Sequence, residues 1–237
     1  TALGGLPDDE VTFAEALRDR GGYRTALVGK WHLGQRPERM PTRHGFDTFW
    51  GLPYSCDNGG SAWMSKANWP PLPTLANETI VEQPTNLATL TARLARESAR
   101  FVRDAHAAGA PWALYLPFAH THTPNFCSPT YCDWSKRGRD GDATEERDGA
   151  VGEVVAAVDA LSGGAANRTL LVFTSDNGPW LKQKLQGGSA GLLRGGKFNT
   201  WEGGIRVPGI ARWRGVIAPG RTSYARVAAY DLFATML

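Results

Sequence analysis

The sequence predicts an α/β fold, a mostly parallel sheet with helices on both faces. Short and nearly continuous apolar runs occur at residues 24–29, 112–119 and 169–174, as expected for strands that are buried on both sides. Segments with helical spacing of apolar residues alternate with these runs, which is typical of parallel connections. In such sheets ligands bind beyond the carboxyl ends of the strands, so the residues that follow each run are the first candidates for a functional site.

In the N-terminal half, the capping-box pattern Thr12-Phe-Ala-Glu15 predicts the start of a short helix, which Gly21-Gly22 ends. The run at 24–29 follows as the first strand. We predict a long loop, rich in Pro, Gly and Trp, from about Gly34 to Pro84. An amphipathic helix comes next, with apolar residues at Leu87, Leu90, Leu94, Phe101, Val102 and Ala105.

In the C-terminal half, residues 112–119 predict the second strand, and a polar loop then leads to a helix with apolar residues at 151, 154, 155, 158 and 161. Residues 169–174 predict the third strand and 204–213 a further strand-like segment. A helix beginning near Asp231 is cut by the end of the chain. We therefore expect residues 1–237 to be one partial domain, an internal piece of a longer protein that is truncated at both ends.

The composition excludes some function classes. Lys and Arg number 26 against 23 Asp and Glu, and this net charge of +3 is too small to indicate nucleic-acid binding. No apolar run has the length of a membrane span. Cys56, Cys127 and Cys132 form no zinc-binding pattern, although the last two are close enough to form a disulfide. Sequons at Asn77 and Asn167 predict glycosylation and favour a secretory compartment.

Ionisable residues follow each predicted strand. Lys30-Trp31-His32 follows the first, His120-Thr-His122 the second and Asp176-Asn177 the third, and a Gly-rich stretch adds Lys197. Because the carboxyl ends of parallel strands meet at one edge of a sheet, we expect these groups to converge.

Each group has a functional and a structural interpretation. Asp176 and Asn177 offer the oxygen ligands that Ca²⁺ or Mg²⁺ prefers, but an Asx turn explains the tripeptide alone more simply. Lys30 and His32 share one face of an extended segment, which suits an anion. A solvated lysine beside a hydrogen-bonded histidine is the structural alternative. Lys197 in its Gly-rich turn could approach a ligand or could simply be solvated.

His120 and His122 have a spacing that could bind zinc or copper, but no third soft ligand lies near them in the sequence. A proton donor to a leaving group is the better functional role, and a pair of hydrogen-bonded loop histidines is the structural alternative. Taken together, one hard metal, two lysines and two or three histidines suit a tetrahedral oxyanion such as a sulfate or phosphate ester. The sequence shows no nucleophile.

One segment, Gly29-Lys-Trp-His-Leu-Gly34, resembles the second signature of the sulfatase family. Further blocks occur in the order of that family, and the chain is similar to its arylsulfatase A-like group. Asn77 also falls where this group carries a glycosylated asparagine. The other blocks are Arg43–Asp47, Gly51–Ser55, His120–His122, Thr174–Gly178, Gly191–Lys197 and Glu202–Pro208.

The resemblance implies an alkaline-phosphatase-like α/β fold and hydrolysis of sulfate esters. It implies a Ca²⁺ ion, or in some cases Mg²⁺, held in part by Asp176 and Asn177. The nucleophile of the family is a formylglycine, which a formylglycine-generating enzyme makes from the Cys of a C-x-P-x-R motif. The resemblance further implies a lysosomal or secreted protein.

The resemblance also assigns roles to individual residues. Lys30 would contact the nucleophile and the sulfate oxygens, and His32 would act as the base that regenerates the aldehyde. His122 would donate a proton to the leaving alcohol. Lys197 would bind the sulfate and neutralise its charge, and Ser55 would lie near nucleophile and substrate.

Departures from the family pattern limit what the chain can do alone. The C-x-P-x-R motif and an Asp pair that completes the metal site lie upstream in the family, before the point where this sequence starts. Cys127-Ser-Pro-Thr-Tyr131 is similar to the motif but stands in the wrong place and lacks the Arg, so we expect a structural Cys127. The isolated chain is therefore expected to be inactive. We place substrate selection in the loop from Ser61 to Pro73.

Two other functions remain open at this point. A phosphodiesterase or phosphonate hydrolase would use a similar site, with an upstream Ser or Thr nucleophile and a second metal. A non-catalytic anion- or glycan-binding pseudo-sulfatase would keep the same lysines and histidines without a nucleophile.

Overall fold

The computed structural model describes residues 4–59 and 69–237. Its main sheet has five strands in the order β4-β3-β2-β1-β5. These strands are β1 (Arg24–Lys30), β2 (Thr48–Leu52), β3 (Thr74–Ala76), β4 (Thr79–Glu82) and β5 (Trp112–Tyr115). The central strand β1 is parallel to both β2 and β5, whereas β3 and β4 are added antiparallel at one edge. The sheet is thus mixed, with its parallel part around β1.

Helices cover both faces of this sheet, as predicted. Helix α1 (Phe13–Gly21) begins at Thr12 with the predicted capping box and ends at Gly22, which is left-handed. Helices α2 (Leu87–Ala107) and α3 (Gly138–Asp159) pack against each other. Adjacent residues of β1 belong to two different hydrophobic clusters. Leu27 packs with Ala14 of α1, and Val28 packs with α2.

The predicted loop from Gly34 to Pro84 was wrong, because β2, β3 and β4 lie within it. Each of these strands is short, and each is fixed by pairing with a neighbour rather than by its own apolar pattern. Gly29 of β1 pairs with Gly51 of β2, and both have positive φ angles of 144° and 148°. A Cβ atom on Gly51 would collide with the Gly29 carbonyl, so only glycine allows the two strands to approach here.

A second sheet pairs β6 (Leu171–Thr174) with β7 (Gly209–Arg212) in antiparallel orientation. Within the described ranges, β6 pairs with β7 alone and not with the main sheet, contrary to the expectation of one continuous sheet. The segment 204–213 is strand only from Gly209, because helix α4 (Glu202–Ile205) precedes it. Helix α5 (Asp231–Met236) ends the fold. No described helix is long and apolar enough to cross a membrane.

Candidate active site

The end of β1 is tied to the strands on both sides of it. The Lys30 backbone N–H donates to the Pro117 carbonyl at 2.8 Å, and Trp31 donates to the Leu52 carbonyl at 2.9 Å. The His32 N–H donates to the Pro53 carbonyl at 3.1 Å. His32 itself has φ 63°, an uncommon conformation for a residue with a side chain. The backbone thus turns sharply where the Lys–His pair leaves the sheet.

His122 lies among groups delivered by the segment after β2. Its Nδ1 donates to the Thr123 carbonyl at 2.7 Å and lies 3.4 Å from Ser55 Oγ. Asp57 Oδ1 lies 3.9 Å from the same nitrogen. Ser55 and Asp57 are both buried, at 1% and 8% exposure. Since Nδ1 carries the proton donated to Thr123, Nε2 is the nitrogen available to a substrate.

The charges of two predicted catalytic lysines change the pKa values of the two predicted catalytic histidines. Burial lowers the pKa of His122 below the ordinary value, the Thr123 carbonyl and Asp57 raise it, and the charges of Lys30 and Lys197 lower it again. The pKa of His32 is also lowered, first by partial burial and then by Lys30. The charges of Lys30 and Lys197 thus act on both imidazoles, as expected for side chains at one edge of the sheet. A joint catalytic role for Lys30, His32, His122 and Lys197 stays a prediction.

Lys197 reaches this cluster from the second sheet. Its backbone N–H donates to the Pro179 carbonyl at 2.8 Å, which ties its turn to the segment that follows β6. Its ammonium lies 5.7 Å from the centroid of the Trp180 ring and 5.4 Å from that of Phe198. The Trp180 ring lies 6.2 Å from the His122 ring. Trp180 thus lies near both the lysine and the histidine.

Asp176 and Asn177 form a turn directly after β6. The Ser175 hydroxyl donates to the Asn177 carbonyl at 3.1 Å, and Asn177 Nδ2 donates to the Gly178 carbonyl at 2.9 Å. The pKa of Tyr115, at the end of β5, is raised by burial and by the charge of Asp176, so this carboxylate lies near the end of β5. Side-chain oxygens of this kind fit Ca²⁺ or Mg²⁺.

In the described part of the chain, Asp176 and Asn177 do not belong to a larger cluster of candidate metal ligands. In residues 4–59 and 69–237, no three His, Cys, Asp or Glu side chains gather closely enough to hold an ion. The role of Asp176 and Asn177 as metal ligands stays a prediction.

His120 does not share the site of His122. It is buried, its Nε2 lies 3.3 Å from Glu146 Oε2, and its ring packs 4.1 Å from that of Phe126. The same Glu146 oxygen accepts the Ser128 N–H at 3.0 Å. The structure gives His120 a structural position inside the fold, and of these two histidines it is His122 whose pKa the lysines lower.

The cysteines supply no substitute nucleophile. Cys127 and Cys132 form a disulfide, as their spacing allowed. Cys56 is buried, and burial raises its pKa to about 11, so the reactive thiolate is scarce at neutral pH.

Asn77 and Asn167 are exposed, which permits the predicted glycosylation. Of the loop expected to choose the substrate, Ser61–Asn68 lie outside the described residues.

Sequence reasoning missed Asp57 and Trp180. Asp57 stands in the loop segment Ser55–Asn58 without any recognisable pattern, and its closeness to His122 depends on the pairing of β1 with β2 and β5. Trp180 follows the Asp-Asn-Gly turn directly, and only this position at a strand end could have drawn attention to it.

Comparison with known proteins adds an independent result. The Sulfatase family model matches residues 1–237. Steryl-sulfatase of Rattus norvegicus is 37% identical over 98% of this chain and 52% of its own length. Arylsulfatase A of Homo sapiens is 40% identical over 100% of this chain and 48% of its own. The chain thus spans about half the length of these relatives.

Solved structures agree with the fold. A PsFucS1 sulfatase from Pseudoalteromonas sp. matches with a TM-score of 0.79 and 32% identity, covering 92% of this chain and 48% of that one. Ps i-CgsB matches with a TM-score of 0.82 and 27% identity, covering 100% and 54%.

Proposed function

Since the chain belongs to the sulfatase family, we propose that the protein of which it forms part hydrolyses sulfate esters. One observation supports this most directly, the convergence of Lys30, His32, His122 and Lys197 on one centre. Two ammonium groups beside two imidazoles match the needs of a sulfate ester, whose oxygens carry negative charge and whose leaving oxygen needs a proton.

The lysines bind the sulfate group. Lys30 leaves the central strand and Lys197 comes from the Gly-rich turn, so the two ammonium groups can contact different oxygens of one sulfate. Their charge opposes the negative charge that the sulfate carries through the transition state. A Ca²⁺ or Mg²⁺ ion held in part by Asp176 and Asn177 would withdraw further charge from the sulfate oxygens.

His122 protonates the leaving oxygen. Its Nδ1–H is engaged by the Thr123 carbonyl, so the proton given to the alcohol comes from Nε2. The pKa of His32 is lowered, so this imidazole is neutral at neutral pH. It is therefore suited to accept a proton in the step that regenerates the aldehyde. Ser55, buried beside His122, lines the site. A formylglycine from the upstream segment would supply the nucleophile.

A lysosomal or secreted location is part of the proposal. The Cys127–Cys132 disulfide is typical of oxidising compartments, and both sequons are exposed. The formylglycine-generating enzyme is then the expected processing partner of the full-length protein.

Hydrolysis of 4-nitrophenyl sulfate by the full-length protein tests the proposal. We expect turnover, and we expect Lys30→Ala and Lys197→Ala each to lower kcat by about 100-fold or more. His122→Ala should cause a loss of this size with an alkyl sulfate, whose leaving oxygen needs a proton, and a smaller one with 4-nitrophenyl sulfate. Lys182→Ala, in a neighbouring turn, is the matched control and should keep the wild-type rate. The isolated 237-residue chain should be inactive.

Two results would contradict the proposal. Faster hydrolysis of a phosphate diester or a phosphonate than of the sulfate would favour the phosphodiesterase alternative. Binding of sulfate without turnover by formylglycine-containing protein would favour a pseudo-sulfatase.

A further inference from the structure

We infer that Asp57 is a positioning residue for the proton donor, which orients His122 and favours its protonated form without touching the substrate. The inference rests on the proposed function of the same site and assigns a role to a residue that neither sequence pattern nor family resemblance singled out.

The first argument is an unpaired buried oxygen. The Asp57 side chain is 11% exposed, and its Oδ1 has no hydrogen-bond partner within the described residues. A buried carboxylate oxygen without a partner is costly, and folded proteins rarely keep one without a reason. The imidazole of His122, which is charged only when it is protonated, has its Nδ1 3.9 Å from this oxygen.

The second argument is the balance of charge in the site. Lys30 and Lys197 both disfavour a proton on His122, and burial acts in the same direction. The Thr123 carbonyl and Asp57 have the opposite effect and raise the pKa of His122. Asp57 also raises the pKa of His32. His32 is a further titratable group near His122, and its pKa is also lowered. The Cys56 thiol, next to Asp57 in the chain, stays neutral because its pKa is raised to about 11.

The third argument is chemical. A general acid must hold its proton when the leaving oxygen departs, and the two lysines needed for the sulfate work against this. A carboxylate beside Nδ1 stabilises the imidazolium without competing for Nε2, where the substrate is protonated. Asp57 lies on the Nδ1 side of the ring, the side that also bonds the Thr123 carbonyl.

The position of Asp57 is fixed by the main chain. It lies in a 3₁₀ turn at Cys56–Asn58, directly after Ser55, and the Asn58 N–H donates to the Ser55 carbonyl at 3.0 Å. Ser55 is itself 3.4 Å from His122 Nδ1. One turn after β2 therefore delivers both side chains to the same nitrogen.

Asp57→Asn in the full-length protein tests the inference, because it keeps the shape and removes the charge. We expect the alkaline limb of kcat to move to lower pH. At pH 7 we expect kcat to fall about tenfold for an alkyl or sugar sulfate but less than about threefold for 4-nitrophenyl sulfate, whose leaving group needs little protonation. Asp57→Glu should restore part of the loss. Asp47→Asn, a carboxylate that binds the Thr25 N–H away from His122, is the control.

An equal loss on both substrates with an unchanged pH profile would overturn the inference, because a merely structural role predicts that result. A second measurement does not need turnover: the NMR titration midpoint of His122, assigned with His122→Gln, should fall in Asp57→Asn. An unchanged midpoint would overturn the inference even if the wild type hydrolyses sulfate esters. An inactive wild type would instead contradict the proposed function and leave the NMR result to decide on Asp57. If Asp57→Asn does not fold, Asp57→Ser gives the same two readouts.

Discussion

The ammonium of Lys197 lies 5.7 Å from the centroid of the Trp180 ring, within the range of a cation–π contact. The centroid of the Trp180 ring also lies 6.2 Å from that of the His122 ring. One aromatic side chain therefore borders both the residue proposed to bind the sulfate and the residue proposed to protonate the leaving group.

Trp180→Ala should raise the KM for sulfate esters about 2- to 5-fold, because a cation–π contact contributes about 0.5–1 kcal/mol to holding the lysine. Trp180→Phe keeps a ring and should lose less. Steady-state kinetics of the full-length protein check this, with Trp134→Ala as the control, since Trp134 is 74% exposed and lies in another loop. Equal KM values in the wild type and Trp180→Ala would show that the ring does not support Lys197.

The rate should depend on pH through His122. Burial lowers its pKa below the ordinary value, which is about 6.5, and proton donation requires the protonated form. Turnover should therefore decline as pH rises through this lowered pKa, so the alkaline limb of kcat should lie below about pH 6.5. A pH profile with an alkyl sulfate measures this limb, and the limb should disappear in His122→Gln, together with most of the activity. A limb above pH 7 in the wild type would exclude His122 as the group responsible.

Asp142 should matter for stability rather than for chemistry. This buried carboxylate near the start of α3 accepts the backbone N–H groups of Asp133, Trp134 and Ser135 at 3.1, 3.1 and 2.7 Å. Asp142→Ala leaves three donors unpaired and should lower the free energy of unfolding by about 3 kcal/mol. Urea denaturation measures the loss. The control Asp148→Ala, on the same helix and outside this network, should change little.

Asp176→Ala should weaken metal binding, because it removes one of the oxygen ligands that this chain is proposed to supply. The metal content of the purified full-length protein, and the rise in its melting temperature on adding Ca²⁺, should both fall. Asp231→Ala, an acidic residue at the start of α5, should change neither. An unaltered metal content in Asp176→Ala would reject this carboxylate as a ligand.

Local sequence patterns predicted the parts of the fold that local interactions determine. The capping box at Thr12 and Glu15 marks the start of α1, and the apolar spacing marks α2, because both signals lie within one turn or one face of a helix. Strands β2, β3 and β4 were missed because three to five residues carry too little pattern, and their pairing partners come from other parts of the chain.

In the candidate site, too, local patterns could be read from the sequence and long-range contacts could not. Lys30 and His122 were candidates because they follow apolar strands, Lys197 because it lies in a Gly-rich turn, and the family resemblance added Ser55. His120 could not be told apart from His122 by sequence, since only the packing of α3 brings Glu146 to the first of the two. Asp57 escaped notice because its role depends on a distance of 3.9 Å between two loops.

The two sheets contribute different parts of the proposed centre. Lys30, His122 and Ser55 belong to the five-stranded sheet, whereas Asp176 and Lys197 are carried by the segments around β6 and β7, which pair with each other. The proposed site therefore lies between the two sheets. A small separation of the sheets would disrupt it even if every strand kept its hydrogen bonds. On heating, activity should consequently be lost at a lower temperature than the secondary structure that circular dichroism measures.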